Sequence, residues 1–262
     1  MAYTSIDDPS AYFKVQLYTG DGNSSKAITF DDTDTNMQPD FVWIKRRDDA
    51  DSHMLYDSVR FDGSNAYWLQ ANVNSLEGSD RPLTAFGSDG FTIGSNNSTV
   101  NGNTNTYVCW NWKAGGSASS NSDGTGITSS VSANTTAGFS IVSYTGNGSN
   151  NQTVGHGLSV APAVMIFKNR DDTNNWAVYH HKNTSAPATD YLSLSTTAAT
   201  ADDSSLFNDT APTSSVFTIG SASDTGSGSG GNNEKLIAYC LNEVKGYSKF
   251  GSYTGNGNDD GA

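Results

Sequence analysis

The chain states one long sentence twice and then begins it again. Residues 13–22, Phe-Lys-Val-Gln-Leu-Tyr-Thr-Gly-Asp-Gly, return as 139–148, Phe-Ser-Ile-Val-Ser-Tyr-Thr-Gly-Asn-Gly, and residues 250–257 start a third version, Phe-Gly-Ser-Tyr-Thr-Gly-Asn-Gly. Tyr18 and Tyr144 stand 126 apart, Lys45 and Lys168 123, Phe91 and Phe217 126, Tyr107 and Leu236 129. The register drifts only within Gly/Asn/Ser/Asp stretches, where loops absorb insertions. A solenoid repeat runs to roughly 20–50 residues, so this period is that of a whole small domain.

The spacing of short apolar runs between polar turns sets the fold class. Residues 13–18 alternate Phe, Val and Leu with Lys, Gln and Tyr, a half-buried strand. Residues 41–44 are continuously apolar, a central strand; 27–30, 54–59, 67–71, 91–93 and 107–112 are further short strands, and 76–83 reads as loop. No segment has helical periodicity. The expected fold is all-β: two tandem β-sandwich units of jelly-roll or lectin-like type, residues 11–113 and 138–245, after an N-terminal arm at 1–10 and before the start of a third repeat at 246–262. Residues 114–137 are Gly/Ser-rich and predict a mobile linker, with 127–134 able to add an edge strand. A third copy this short cannot bury a core. The chain is therefore expected to be part of a longer polypeptide, or its tail to pair with something else.

The closing strand is apolar on both faces. Val108, Trp110 and Trp112, matched by Ile237, Tyr239 and Leu241, are the expected core face. Tyr107, Cys109 and Asn111, matched by Leu236, Ala238 and Cys240, then face away, under a loop or at a subunit contact. Cys109 and Cys240 are expected to be buried free thiols in a reducing compartment.

A net charge of −13 disfavours nucleic acid, which needs a basic surface, and anionic membranes. No apolar run approaches the roughly 20 residues that span a bilayer, and residues 1–10 have no signal-peptide pattern. Lys45-Arg46-Arg47-Asp48-Asp49 and Lys168-Asn169-Arg170-Asp171-Asp172 are the strongest shared charged feature. Turns in which Asp side chains bond backbone and pair with Arg account for them. The glycine-rich stretches after the first strands lack the helix and lysine of a phosphate loop. Asp21 and Asp259-Asp260 are oxygen-ligand candidates for Ca²⁺, the one weak cofactor expectation. His53, His156, His180 and His181 have no zinc spacing. Trp43, Trp68 and Trp176 lie in strand-like stretches and read as core rather than as sugar platforms. No catalytic, cofactor or metal residue is assigned, and a non-enzymatic role is expected.

Several segments together resemble the large β-repeats of virion structural proteins of marine tailed bacteriophages, tail-fibre-like or lectin-like. They are Tyr144-Thr145-Gly146-Asn147-Gly148; Val154-Gly155-His156-Gly157-Leu158; Pro162 leading to Lys168-Asn169-Arg170-Asp171; Pro39-Asp40-Phe41-Val42-Trp43-Ile44-Lys45; Asp57-Ser58-Val59-Arg60; and Trp110-Asn111-Trp112-Lys113-Ala114-Gly115-Gly116. The likeness covers residue 11 to the end; Phe61 replaces the usual Gly after Asp-Ser-Val-Arg. It implies a virion protein, assembled in the host cytoplasm, most simply a tail fibre or appendage contributing to host attachment. The alternatives are a capsid decoration or head fibre, or a carbohydrate-binding module for host surface glycan. Its implied partners are other virion proteins through the arm and further copies of itself. A homo-oligomer is expected, a trimer by the resemblance to phage fibres, with two or six copies equally allowed by closed symmetry, and with Tyr107, Cys109 and Asn111 as subunit contacts.

Overall fold

The computed structural model describes residues 4–32, 35–226 and 233–258 of the chain. The fold is all-β and antiparallel, in two units. The first contributes β1 (Phe13–Thr19), β2 (Lys26–Thr29), β3 (Phe41–Arg46), β4 (Met54–Asp57), β5 (Ala66–Gln70), β6 (Gly78–Gly87), β7 (Gly90–Ile93) and β8 (Thr106–Trp112). They form one sheet in the order β1-β8-β3-β4-β5-β6-β7-β2. Register shifts where β6 meets β5 and β7 mark the bend that folds β6, β7 and β2 over the other five strands. Ile28, Leu83, Phe91 and Ile93 from that flap meet Val42, Ile44, Met54, Tyr56, Tyr107 and Cys109 to make the first core. Residues 76–83, expected as loop, thus largely belong to β6.

The second unit has β9 (Ser119–Asn121), β10 (Ser129–Asn134), β11 (Phe139–Thr145), β12 (Gln152–Gly155), β13 (Val164–Asn169), β14 (Ala177–His180), β15 (Asp190–Ser193), β16 (Ala201–Asp202), a one-turn helix α1 (Ser204–Phe207), β17 (Val216–Ile219) and β18 (Lys235–Leu241). Its large sheet runs β16-β15-β14-β13-β18-β11-β10-β9, and β12 and β17 form a separate flap. The repeat holds at the level of register. Phe13 faces Trp112 as Phe139 faces Leu241; Phe41 faces Asp57 as Val164 faces His180; Lys26 faces Ile93 as Gln152 faces Ile219. The second core gathers Val142, Tyr144, Met165, Phe167, Phe207, Phe217 and Cys240.

The expected linker is built into the second sheet. β10 pairs with β11 from Phe139 to Tyr144 and carries β9 on its other edge. The turn between β10 and β11 closes through Gly138 at φ +69°, whose N–H donates to Asn134 O at 2.9 Å. That left-handed φ suits glycine. Residues 119–121 and 129–134 therefore cannot serve as a loose tether. The lead segment is also anchored: Ile6 is buried, and Asp8 caps a short 3-10 turn over Pro9–Ala11.

The faces of the closing strand are reversed from expectation. Tyr107, Cys109 and Asn111 are wholly enclosed in the first unit, so they make no subunit contact. The Tyr107 hydroxyl donates to Ser98 O and accepts from Gly102 N, and its ring stacks on Tyr18. Val108, Trp110 and Trp112 are only half-buried and point away from that core. Ile237 and Tyr239 are buried and Leu241 partly so, but against the other unit rather than within their own. β1 follows the same inversion. Lys14 and Gln16 point inward, held by Asp32 and Asp31, while Val15 and Leu17 point out at 50% and 54% exposure.

Candidate functional site

The two large sheets pack face to face. Phe41, Leu55, Leu69 and Ala71 of the first unit meet Phe139, Ile141, Trp176, Ile237 and Tyr239 of the second in a shared apolar layer. The Phe41 and Tyr239 rings lie 4.4 Å apart. Trp176 stacks near Tyr239 and donates its indole N–H to Gln70 O at 2.8 Å, across the seam.

A charged network built on the fully enclosed Asp57 and Arg60 side chains lies in this seam. Asp57 ends β4 and caps the 3-10 turn Ser58–Arg60, accepting Arg60 N at 3.0 Å. Arg60 then folds back: its Nε donates to Asp57 Oδ2 at 2.6 Å, and its Nη1 donates to Glu77 Oε1 at 2.7 Å and to Tyr67 O at 2.9 Å. Both side chains are fully enclosed. The second unit supplies the remaining partners. The Tyr239 hydroxyl donates to Asp57 Oδ2 at 2.8 Å, and Arg170 grips both Glu77 oxygens at 3.1 and 2.9 Å. Two carboxylates and two guanidiniums thus balance, which is the condition for holding ions in a low-dielectric layer.

The protonation states follow. Burial alone would raise the Glu77 carboxyl, but Arg60 and Arg170 outweigh it and hold it below its ordinary value. Burial alone would lower Arg60, but Asp57 and Glu77 hold its proton more firmly. Burial, and then the Asp57 charge, pushes the Tyr239 phenol well up. Glu77 is thereby held ionised, and Arg60 and Tyr239 protonated, near neutrality.

Lys168 is the penultimate residue of β13. Its Nζ donates to Asp172 O and Asn174 O in its own turn and to Asn74 O of the first unit, at 3.1, 2.8 and 3.2 Å. Burial brings it down to about 8, against the pull of Asp224 and Asp172. Lys45, its match, caps its own turn through Arg46 O and Asp49 O. The shared charged motifs are turns, as the sequence implied. Arg46 binds Asp48 at 2.7 Å and Asp51 at 3.0 Å, Asp48 accepts Thr106 N, and Asp171 accepts Lys235 N.

The other expected positions are dispersed. Asp21 spends its carboxylate on Asn23 N and the Asn101 amide, which bring it down to about 2. Asp259 and Asp260 lie outside the described residues. Among the described residues no three His, Cys, Asp or Glu converge as for a metal. His156 is enclosed, accepting Leu158 N and contacting Thr213 O. His53 accepts the Trp43 indole N–H at 2.9 Å. Cys109 and Cys240 are buried and free, as expected, and burial pushes both thiols up to about 12. Trp176 is core; Trp43 and Trp68 are half-buried, and Trp68 donates to Asp80 under the Arg81 guanidinium.

The sequence reading missed the Arg60–Glu77–Arg170 junction. Its trace is an asymmetry at matched positions: Asp57 and Arg60 correspond to His180 and Asn183, so the charges cannot belong to the shared fold.

Residues 8–262 match the family described as a domain of unknown function, DUF7483. The chain belongs to the DUF7483 family. No curated protein and no solved structure matches it. The DUF7483 match covers both units and the seam, so the paired arrangement falls within the family's span.

Proposed function

We propose that this chain is a non-enzymatic structural module of a tailed-phage virion, a tail-fibre or appendage segment that contributes to host attachment. The observation that carries this reading is the seam. The enclosed Asp57 and Arg60 and the part-buried Glu77 and Arg170 are matched to one another between two copies of one unit. Such a joint resists bending: moving the units apart strands paired ions in an apolar layer. A stiff tandem of β-sandwiches suits a part that must project and bear load. The sequence resemblance to phage virion β-repeats supplies the setting.

Gold-labelled antibody against the chain, applied to purified particles of the phage that encodes it, tests the reading. Label on the tail or its appendages is expected. Label spread over the head surface would move the assignment to a capsid decoration, and absence from intact particles would end the virion reading.

A further inference from the structure

The units pack out of step. The second unit's β11 and β18 lie over β3, β4 and the Ser58–Arg60 turn of the first, as the Tyr239 contacts with Phe41 and Asp57 show. The outward face of β1 and β8 is left over. Cross-strand register sorts it into rows: Phe13, Trp112 and Phe41; Val15, Trp110 and Trp43; Leu17, Val108 and Lys45. The first row enters the seam, the second lies at its rim, and the third is open. Val15 and Leu17 are among the most exposed large apolar side chains of the chain.

We infer that this stripe is a self-association surface, and that its occupant is the same stripe of a second copy of the chain, related by a two-fold axis near Val15 and Trp110. Three observations carry this. First, the stripe is continuous with an interface already formed: Trp43 and Trp112 are partly buried in the seam layer. Second, the molecule itself supplies the type of partner. At the matched positions of the second unit, Ile141, Ile237 and Tyr239 are buried against this fold's own outward sheet face. Third, the stripe is self-complementary. At its Phe13 end it meets an apolar recess of about 280 Å³, lined by Phe13, Trp112, Phe139, Leu241, Tyr247 and Phe250. Leu17 protrudes at the other end, roughly 13 Å along the strand at the usual rise per residue. A two-fold through the middle row seats each Leu17 toward the other copy's recess, the isologous geometry of a closed dimer.

The approach is by the face and not by the edge. Lys113 N donates to Tyr12 O and Gly20 N to Asn105 O, so the even-numbered residues of β1 bond to β8 and the odd-numbered ones turn their backbone groups outward. Among the described residues no strand pairs along that edge. A strand added there would meet the ionic plug of Lys14 with Asp32 and Asp89 beneath it, the kind of inward charge that guards sheet edges. This inference is independent of where on a particle the chain sits.

Sedimentation of the full chain, with two variants and a cross-link, tests it. The unaltered chain is expected to dimerise at micromolar concentration. Leu17→Lys, at a site exposed enough to leave folding intact, is expected to weaken association by about 30-fold or more, the scale of a lost interface anchor. Val160→Lys, equally exposed but in the second unit, is expected to leave association unchanged. Val15→Cys is expected to form a disulfide-linked dimer on mild oxidation, since Cys109 and Cys240 are enclosed. A wild-type monomer overturns the proposal and leaves the stripe to a different protein or a glycan. A dimer insensitive to Leu17→Lys, or Val15→Cys failing to cross-link, overturns it as well.

Discussion

Ile141, Ile237 and Tyr239 in the second unit occupy the positions of Val15, Val108 and Trp110 in the first, yet the former are enclosed and the latter half open. The matched strands keep the same cross-strand registers, and the lateral offset between the sheets decides which of these positions are covered. That offset also decides where charge is used. The second unit's strand end carries His180 and Asn183, while the first carries Asp57 and Arg60, reaching Glu77, Arg170 and Tyr239. At the outer edge the first unit has Lys14 and Gln16 beneath β1 where the second has Ser140 and Val142, because only the second receives a covering strand, β10. Duplicated units thus keep their hydrogen-bond ladders and diverge where one is covered and the other is not.

The largest test of this contrast is Arg60→Leu against Asn183→Leu. Removing Arg60 strands a fully enclosed Asp57 and should cost about 3–5 kcal/mol, whereas its counterpart should cost under about 1 kcal/mol. Equal losses in urea unfolding would show that the seam charges are not the asymmetric element. Next comes the matched pair Tyr239→Phe and Trp110→Phe. The first removes a buried hydroxyl bonded to Asp57 and should cost about 1–3 kcal/mol. The second trims a half-open ring and should change the midpoint little in monomer-favouring conditions.

The seam should also set the acid limb of stability. Glu77 is held below its ordinary value, so the stabilisation it brings is complete above that value and lost as pH falls through the lower, folded one. Glu77→Gln should be less stable at neutral pH and flatter below the ordinary glutamate range. A mutant with the wild-type slope there would remove Glu77 from the linkage. Lys168 gives the smallest effect, at the other end. Its folded value of about 8 lies below the ordinary one, so the unfolded chain binds the proton more strongly, and stability should rise with pH from about 8 toward the ordinary lysine range. Lys168→Met should abolish that rise, and Lys45→Met should leave it in place.

Much of the fold was legible because the duplication is. Matching Tyr18 to Tyr144 and Lys45 to Lys168 places the strands, and the structure keeps those matches in register. The inner face of β1 and β8 was not read correctly, because period two in strands apolar on both sides leaves the choice to side-chain size and polarity. Two tryptophans on one face of β8, and Lys14 with Gln16 on the inner face of β1, pointed the wrong way. The recurring tyrosine was the better guide: Tyr18 shares its parity with Lys14 and Gln16, and its match Tyr144 with Val142, all facing the cores. The seam was invisible for a different reason. Glu77 and Arg170 are 93 positions apart and belong to different copies, so no pattern within one repeat could join them.

The strand β10 belongs by sequence to the passage out of the first unit and by hydrogen bonding to the second. The boundary that the repeat suggests, just before Phe139, is therefore the wrong place to cut. A fragment starting there would bare the length of β11, with Ile141 and Val142 beside an open edge, and should precipitate or capture stray strands. A fragment starting before Ser119 would carry its own cover.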